Sequence, residues 1–178
     1  MNEPAADSHA QSAPRVTPVQ GLLLLAAVIV FVAAYLLLDR AMGLTEAWAG
    51  FLFLVCWAVS QLDPAKLAEC AIGAFVGVLV AYALQRLPPV LGVVAFVPIL
   101  GVILAMVYCQ IMGWLTLLVN LTTMAFLTIA AMPLVQAYVS FPNLFATLAF
   151  GIAYFAGLVL LGRWFAGRAA KRSPAPSA

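Results

Sequence analysis

Long apolar runs alternate with short polar breaks along this chain, and the runs have the length a bilayer demands. A helix needs about 20 apolar residues to cross roughly 30 Å of hydrocarbon. Residues 19–38 form the first such run, interrupted only by Gln20 and closed by Asp39-Arg40. A second, shorter run covers 44–62, with Glu46 and Trp48 at its entrance and Trp57 deeper. Asp63-Pro64 then opens a third. Asp63 suits an N-cap, and Pro64 suits the first helical position, where its missing N–H would be an orphan anyway. This span is expected to reach Leu84, with Gln85-Arg86-Leu87-Pro88-Pro89 as a rigid closing loop.

Residues 90–138 are apolar almost without pause. As one helix they would extend about 70 Å, more than twice the hydrocarbon thickness, so the chain must turn back. Gln110 and Gly113 interrupt the run between Tyr108 and Trp114, two aromatics suited to a membrane interface. Span four is therefore expected over 90–107 and span five over 115–132, ended or kinked by Pro133. Polar residues from Gln136 to Asn143 make the next loop, and span six covers 144–165. The expected fold is an all-α integral membrane bundle of six helices over 19–167. A tail at 1–18 is expected to be disordered, and a basic, Ser/Pro/Ala-rich tail occupies 168–178.

Six spans put both termini on one side. Arg15, Lys66, Arg163, Arg168, Lys171 and Arg172 fall on that side, against Arg40 and Arg86 on the other. Cytoplasmic segments carry the basic excess, so both termini are expected in the cytoplasm, a reading that depends mainly on the C-terminal cluster. Pro64, Ala68, Ala71 and Gly73 recur as Pro142, Ala146, Ala149 and Gly151 at one constant offset. Two readings stay open: chance in a chain rich in Ala and Gly, or two inverted three-helix repeats of the kind built into transporters.

Composition strengthens the membrane reading. The chain is 66% hydrophobic and 8% charged, whereas soluble domains carry roughly 25% charged residues. The net charge of +2 gives no basic footprint for nucleic acid. Cys56, Cys70 and Cys109 lie in or beside apolar runs, without a C-x-x-C pair, and read as reduced packing residues. The first residues lack the basic n-region of a signal peptide, so the first helix reads as an uncleaved signal-anchor. The single histidine, His9, lies in the N-terminal tail, and neither a G-x-S-x-G nor a Walker A sequence occurs. No enzyme, cofactor or metal site is expected.

Three sets of residues carry candidate chemistry. Lys66 and Glu69 stand at i and i+3 near the start of span three, as an intramembrane ion pair or as two charges snorkelling to the interface. In span five Thr116, Asn120 and Thr123 fall on one helical face, with Thr128 further along; they would line a solute path or bond between helices. Gly73 and Gly77, together with Ala149, Ala153 and Gly157, form small-residue ladders that let helix backbones approach. Pro98 frees a carbonyl in span four and is expected to kink it.

The run Trp48-Ala49-Gly50-Phe51-Leu52 entering a span, followed by a polar break and a Gly-rich span, resembles a family of small bacterial inner-membrane proteins known only as a domain of unknown function. The resemblance covers 44–84 and, more loosely, 120–162. The layout also resembles half of the membrane domain of fusaric-acid-resistance and aromatic-acid-exporter proteins. Neither resemblance supplies functional residues. The expected function is a small transporter or permease-like protein of the bacterial inner membrane for an unknown solute, with a homo-oligomer or partner membrane helices as its protein contacts. The alternative is a non-transporting component that binds partner helices.

Overall fold

Backbone amides have no water to turn to in hydrocarbon, so a chain of this composition satisfies them within helices. The computed structural model describes residues 17–172, and all its elements are helical. The expected disorder before residue 17, His9, and the last six residues of the basic tail lie outside the described residues. Helix α1 spans Pro18–Ala41. Its one polar interruption is part of a cap: Gln20 N–H donates to Thr17 Oγ1, and Thr17 N–H donates to Gln20 Oε1. Helix α2, Trp48–Val59, has only 12 residues. It rises about 18 Å, shorter than the expected span over 44–62. Helix α3, Pro64–Leu91, begins as expected, with Asp63 Oδ1 accepting from Ala65 N–H at 3.0 Å.

The expected loop at Gln85–Pro89 does not form. Helix α3 runs through Pro88 and Pro89 and reverses at Gly92 instead, where φ is +70°. An open loop would expose several backbone groups, whereas each proline removes one helical N–H. The break falls where glycine can take positive φ without a Cβ clash. A 3-10 turn at Gly92–Ala95 leads into α4, Phe96–Met112. Leu79, Val80, Ala83 and Leu87 line one groove with Pro98, Ile99 and Val102, so α4 folds back antiparallel along α3. At its far end Gly113 adopts the left-handed conformation, and its N–H and that of Trp114 reach Cys109 O. That is the expected turn, closed as glycine-capped helices commonly close.

Span five differs more. Residues 114–120 are not helical, and α5 covers only Leu121–Ala130. Pro133 does not kink this helix; it starts a separate short helix α6, Pro133–Tyr138. Helix α7 then runs over Phe141–Arg172, through the residues expected as the start of the tail.

The helices pair in a crossed pattern. The most extensive contact is α3 with α5, and the next is α2 with α7. Helix α1 rests on α7, α4 rests on α3, and both α3–α7 and α2–α5 touch in the middle. Phe53 and Trp57 of α2, Val78 of α3, Phe126 of α5 and Leu148 of α7 are fully enclosed in the shared core. Among the described residues, three stretches are long and apolar enough to cross a membrane: Pro18–Ala41, Pro64–Met112 with its reversal at Gly92, and Phe141–Arg168. Large apolar side chains of α1 and α4, Leu23, Ile29, Val97 and Leu104 among them, point outward. An exterior of this kind suits a bilayer.

Candidate functional site

Two irregular segments lead into the two short helices, and each is held by the start of a long helix. The first is the mouth of α5. Asn120 is not on a helical face with Thr116 and Thr123, because the helix begins only at Leu121. It is the N-cap. Asn120 Oδ1 accepts from Thr123 N–H at 3.1 Å, and Thr123 Oγ1 accepts from Asn120 N–H at 3.2 Å. The other end of the amide reaches across: Nδ2 donates to Glu69 O at 2.8 Å and to Thr116 O at 3.0 Å. A buried amide is thus satisfied on both ends while it binds α5 to α3. The polar strip of span five is not continuous. Thr128 is exposed and donates to Met124 O of its own helix.

Glu69 offers Asn120 only its carbonyl. Its carboxylate pairs with Lys66 Nζ at 2.8 Å, with the Lys66 side chain half-exposed. Gly73 and Gly77 explain why α5 comes so close. A Cβ on Gly73 would lie 2.5 Å from Asn120 Oδ1 and 2.7 Å from Thr123 Oγ1, and one on Gly77 would lie 2.5 Å from Thr123 O. The expected ladder on α7 does not pack in this way. Ala149 and Ala153 are exposed, and a Cβ on Gly157 would meet nothing within 4 Å. The buried face of α7 is a quarter-turn away, through Leu144, Thr147, Leu148 and Gly151.

The second mouth is that of α2. Tyr35 of α1 is fully buried, stacks at 5.7 Å on Phe150 of α7, and donates its hydroxyl to Ala47 O at 3.1 Å. Asn143, at the start of α7, spans the loop before α2: its Oδ1 accepts from Thr45 N–H and its Nδ2 donates to Thr45 Oγ1 at 3.1 Å. Glu46 accepts from Trp48 Nε1 at 2.8 Å. Asp39, in the last turn of α1, is 3% exposed, and its Oδ1 has no hydrogen-bond partner among the described residues. It lines a pocket of about 490 Å³ with Leu36, Arg40, Gly43, Leu44, Thr45 and Ala47.

The chain matches no protein-family model, no curated protein and no solved structure.

Several residues of these mouths escape sequence reasoning. Asp39 reads as a span terminator, Tyr35 as one aromatic in an apolar run, and Asn143 as part of a loop. Two further links close the far ends of the short helices. Gln85 Nε2 of α3 donates to Gln136 O, after α5, at 2.7 Å, and Arg163 Nη2 of α7 donates to Leu62 O, after α2, at 2.9 Å. Gln85 and Arg163 stand at the same offset as Pro64 and Pro142 but are different residue types, so the recurrence of identical residues does not pick them out. Cys56, Cys70 and Cys109 are free.

Proposed function

We propose that this chain is a six-span protein of the bacterial inner membrane, built as two inverted three-helix halves, and that it works as a small permease-like transporter. The first half is α1, α2 and α3; the second is α4, then α5 with α6, and α7. One observation carries the reading: each half holds one short helix in the same place, packed against the long third helix of the other half. Helix α5 lies on α3 and α2 lies on α7, while α4 rests on α3 as α1 rests on α7. Gln85 and Arg163 reinforce the crossing at equivalent positions. Short, interrupted segments at matching positions of two halves are where transporters of inverted-repeat design bind solute.

Irregular backbone at membrane depth persists where protein buries it or where it lines a path. Residues 114–120 and 43–47 are the segments that would move for a solute to pass. The test is permeation in proteoliposomes, read by light scattering after osmotic shock with glycerol, urea and small amino acids. Permeation of at least one solute faster than in empty vesicles supports transport. Rates equal to empty vesicles across the panel would favour the second reading.

That second reading, binding of partner helices, draws on the outward face of α7. Ala149, Ala153 and Gly157 present a small-residue ladder, with no neighbour over Gly157 among the described residues, the kind of surface on which transmembrane helices associate. Crosslinking of Ala153→Cys in membranes tests it. A disulfide dimer or a captured membrane partner supports it, and a monomer alone speaks against it.

A further inference from the structure

We infer that the pocket at the end of α1 is a binding site for a small monovalent cation, with the Asp39 carboxylate as its charged ligand. The other acidic and neutral polar side chains at this mouth have partners inside the chain. The Tyr35 hydroxyl is used by Ala47 O, Thr45 by Asn143, and both carboxylate oxygens of Glu46 accept hydrogen bonds, from Thr45 Oγ1 and Trp48 Nε1. Asp39 alone is left over. It is 97% removed from solvent, its Oδ1 is unpartnered, and it borders a pocket of about 490 Å³.

The surroundings favour positive charge. Asp39 sits in the last turn of α1, where the carbonyl end of the helix is already negative. Glu46 approaches from the loop before α2 and adds negative charge, since Thr45 Oγ1 and Trp48 Nε1, which donate to its oxygens, are neutral. Arg40 is the one cationic side chain lining the pocket; it is the next residue along the helix, about 100° further round, it is exposed, and it makes no ion pair with Asp39. Burying a carboxylate without a partner is costly, and a cation held in the pocket removes that cost.

The charge count argues for a monovalent ion. Asp39 is the one carboxylate here without a hydrogen-bond partner, and no group of three His, Cys, Asp or Glu side chains gathers among the described residues. Hard oxygen ligands select sodium-like ions over thiophilic metals. Binding stands independently of transport; that the ion couples to solute movement is the only part that rests on the proposed function.

The experiment is thermal unfolding of the full chain in detergent, with NaCl replacing choline chloride at constant ionic strength. Wild type should show a saturable rise in Tm of roughly 3–6 °C at sodium concentrations about tenfold above Kd. Asp39→Asn should abolish the rise, and Glu46→Gln, which removes the neighbouring negative charge, should raise the apparent Kd several-fold. Equal Tm of wild type in sodium and in choline would overturn the site. So would a full sodium response in Asp39→Asn. Should Asp39→Asn not fold, sodium-22 binding to wild type decides: one ion per chain, weakened by Glu46→Gln, supports the site, and no saturable binding overturns it. None of these readouts depends on solute flux, so failure of the cation site and failure of transport are separately visible.

Discussion

Gly50 of α2 and Gly151 of α7 face one another so closely that a Cβ on Gly151 would lie 2.5 Å from the Gly50 Cα. Neither residue takes part in the small-residue ladders apparent in the sequence. Their contact lets the short helix lie against the long one, with the Tyr35 hydroxyl filling the remaining space. Gly151→Ala should lower stability by about 1–3 kcal/mol, since the obstacle is backbone that cannot rotate away. Thermal unfolding in detergent measures this, and wild-type stability would show that the helices are not in contact.

Helix α3 makes an equally close approach to α5 through Gly73 and Gly77. Gly73→Ala and Gly77→Ala should both destabilise, because their Cβ atoms meet Asn120, Thr123 and the α5 backbone. Gly101→Ala and Gly162→Ala meet nothing within 4 Å. They should be neutral or slightly stabilising, as alanine is the better helix former. A uniform response from all four variants would contradict the packing.

Asn120 separates two roles of one side chain. Asn120→Ala loses the N-cap of α5, worth about 1–2 kcal/mol, and the bond to Glu69 O, commonly about 1 kcal/mol or less in membranes. Asn120→Asp keeps the acceptor for Thr123 N–H but turns a donor facing two carbonyls into an acceptor. It should be the more destabilising of the two at neutral pH. An Asp variant as stable as wild type would mean that the link to α3 contributes nothing.

Insertion of a topology reporter tests the reversal at Gly92. With cytoplasmic termini, fusions after Ala178 and at Gly113 should report cytoplasm, and fusions at Gly43 and Gly92 periplasm. Gly92 and Gly113 in one compartment would contradict a crossing by α4. The reverse pattern throughout would invert the protein.

The carbonyl anchors at Gln85 and Arg163 should behave alike if the halves are equivalent. Gln85→Ala should speed hydrogen exchange around Gln136, and Arg163→Ala should do so around Leu62, because each removes a bond that holds the end of a short helix. A response in one half only would count against equivalence.

Much of this molecule is determined by the sequence alone. Its apolar share and run lengths make it a helical protein with surfaces for lipid, since hydrocarbon leaves backbone groups no other partners. Asp63-Pro64 starts α3, Gly113 stops α4, and Lys66 meets Glu69, because caps and i, i+3 pairs depend only on neighbours in the chain. Distant contacts required the tertiary structure. Whether Pro88-Pro89 ends a helix depends on what an open loop would leave unbonded, and here the chain turns at Gly92. Asn120 reads as one face of a helix until α3 offers Glu69 O and the helix start moves to Leu121. Which stripe of α7 is buried, Ala149–Ala153 or Leu144–Gly151, is set by where Gly50 lies, since an almost wholly apolar helix has no polar face to orient it.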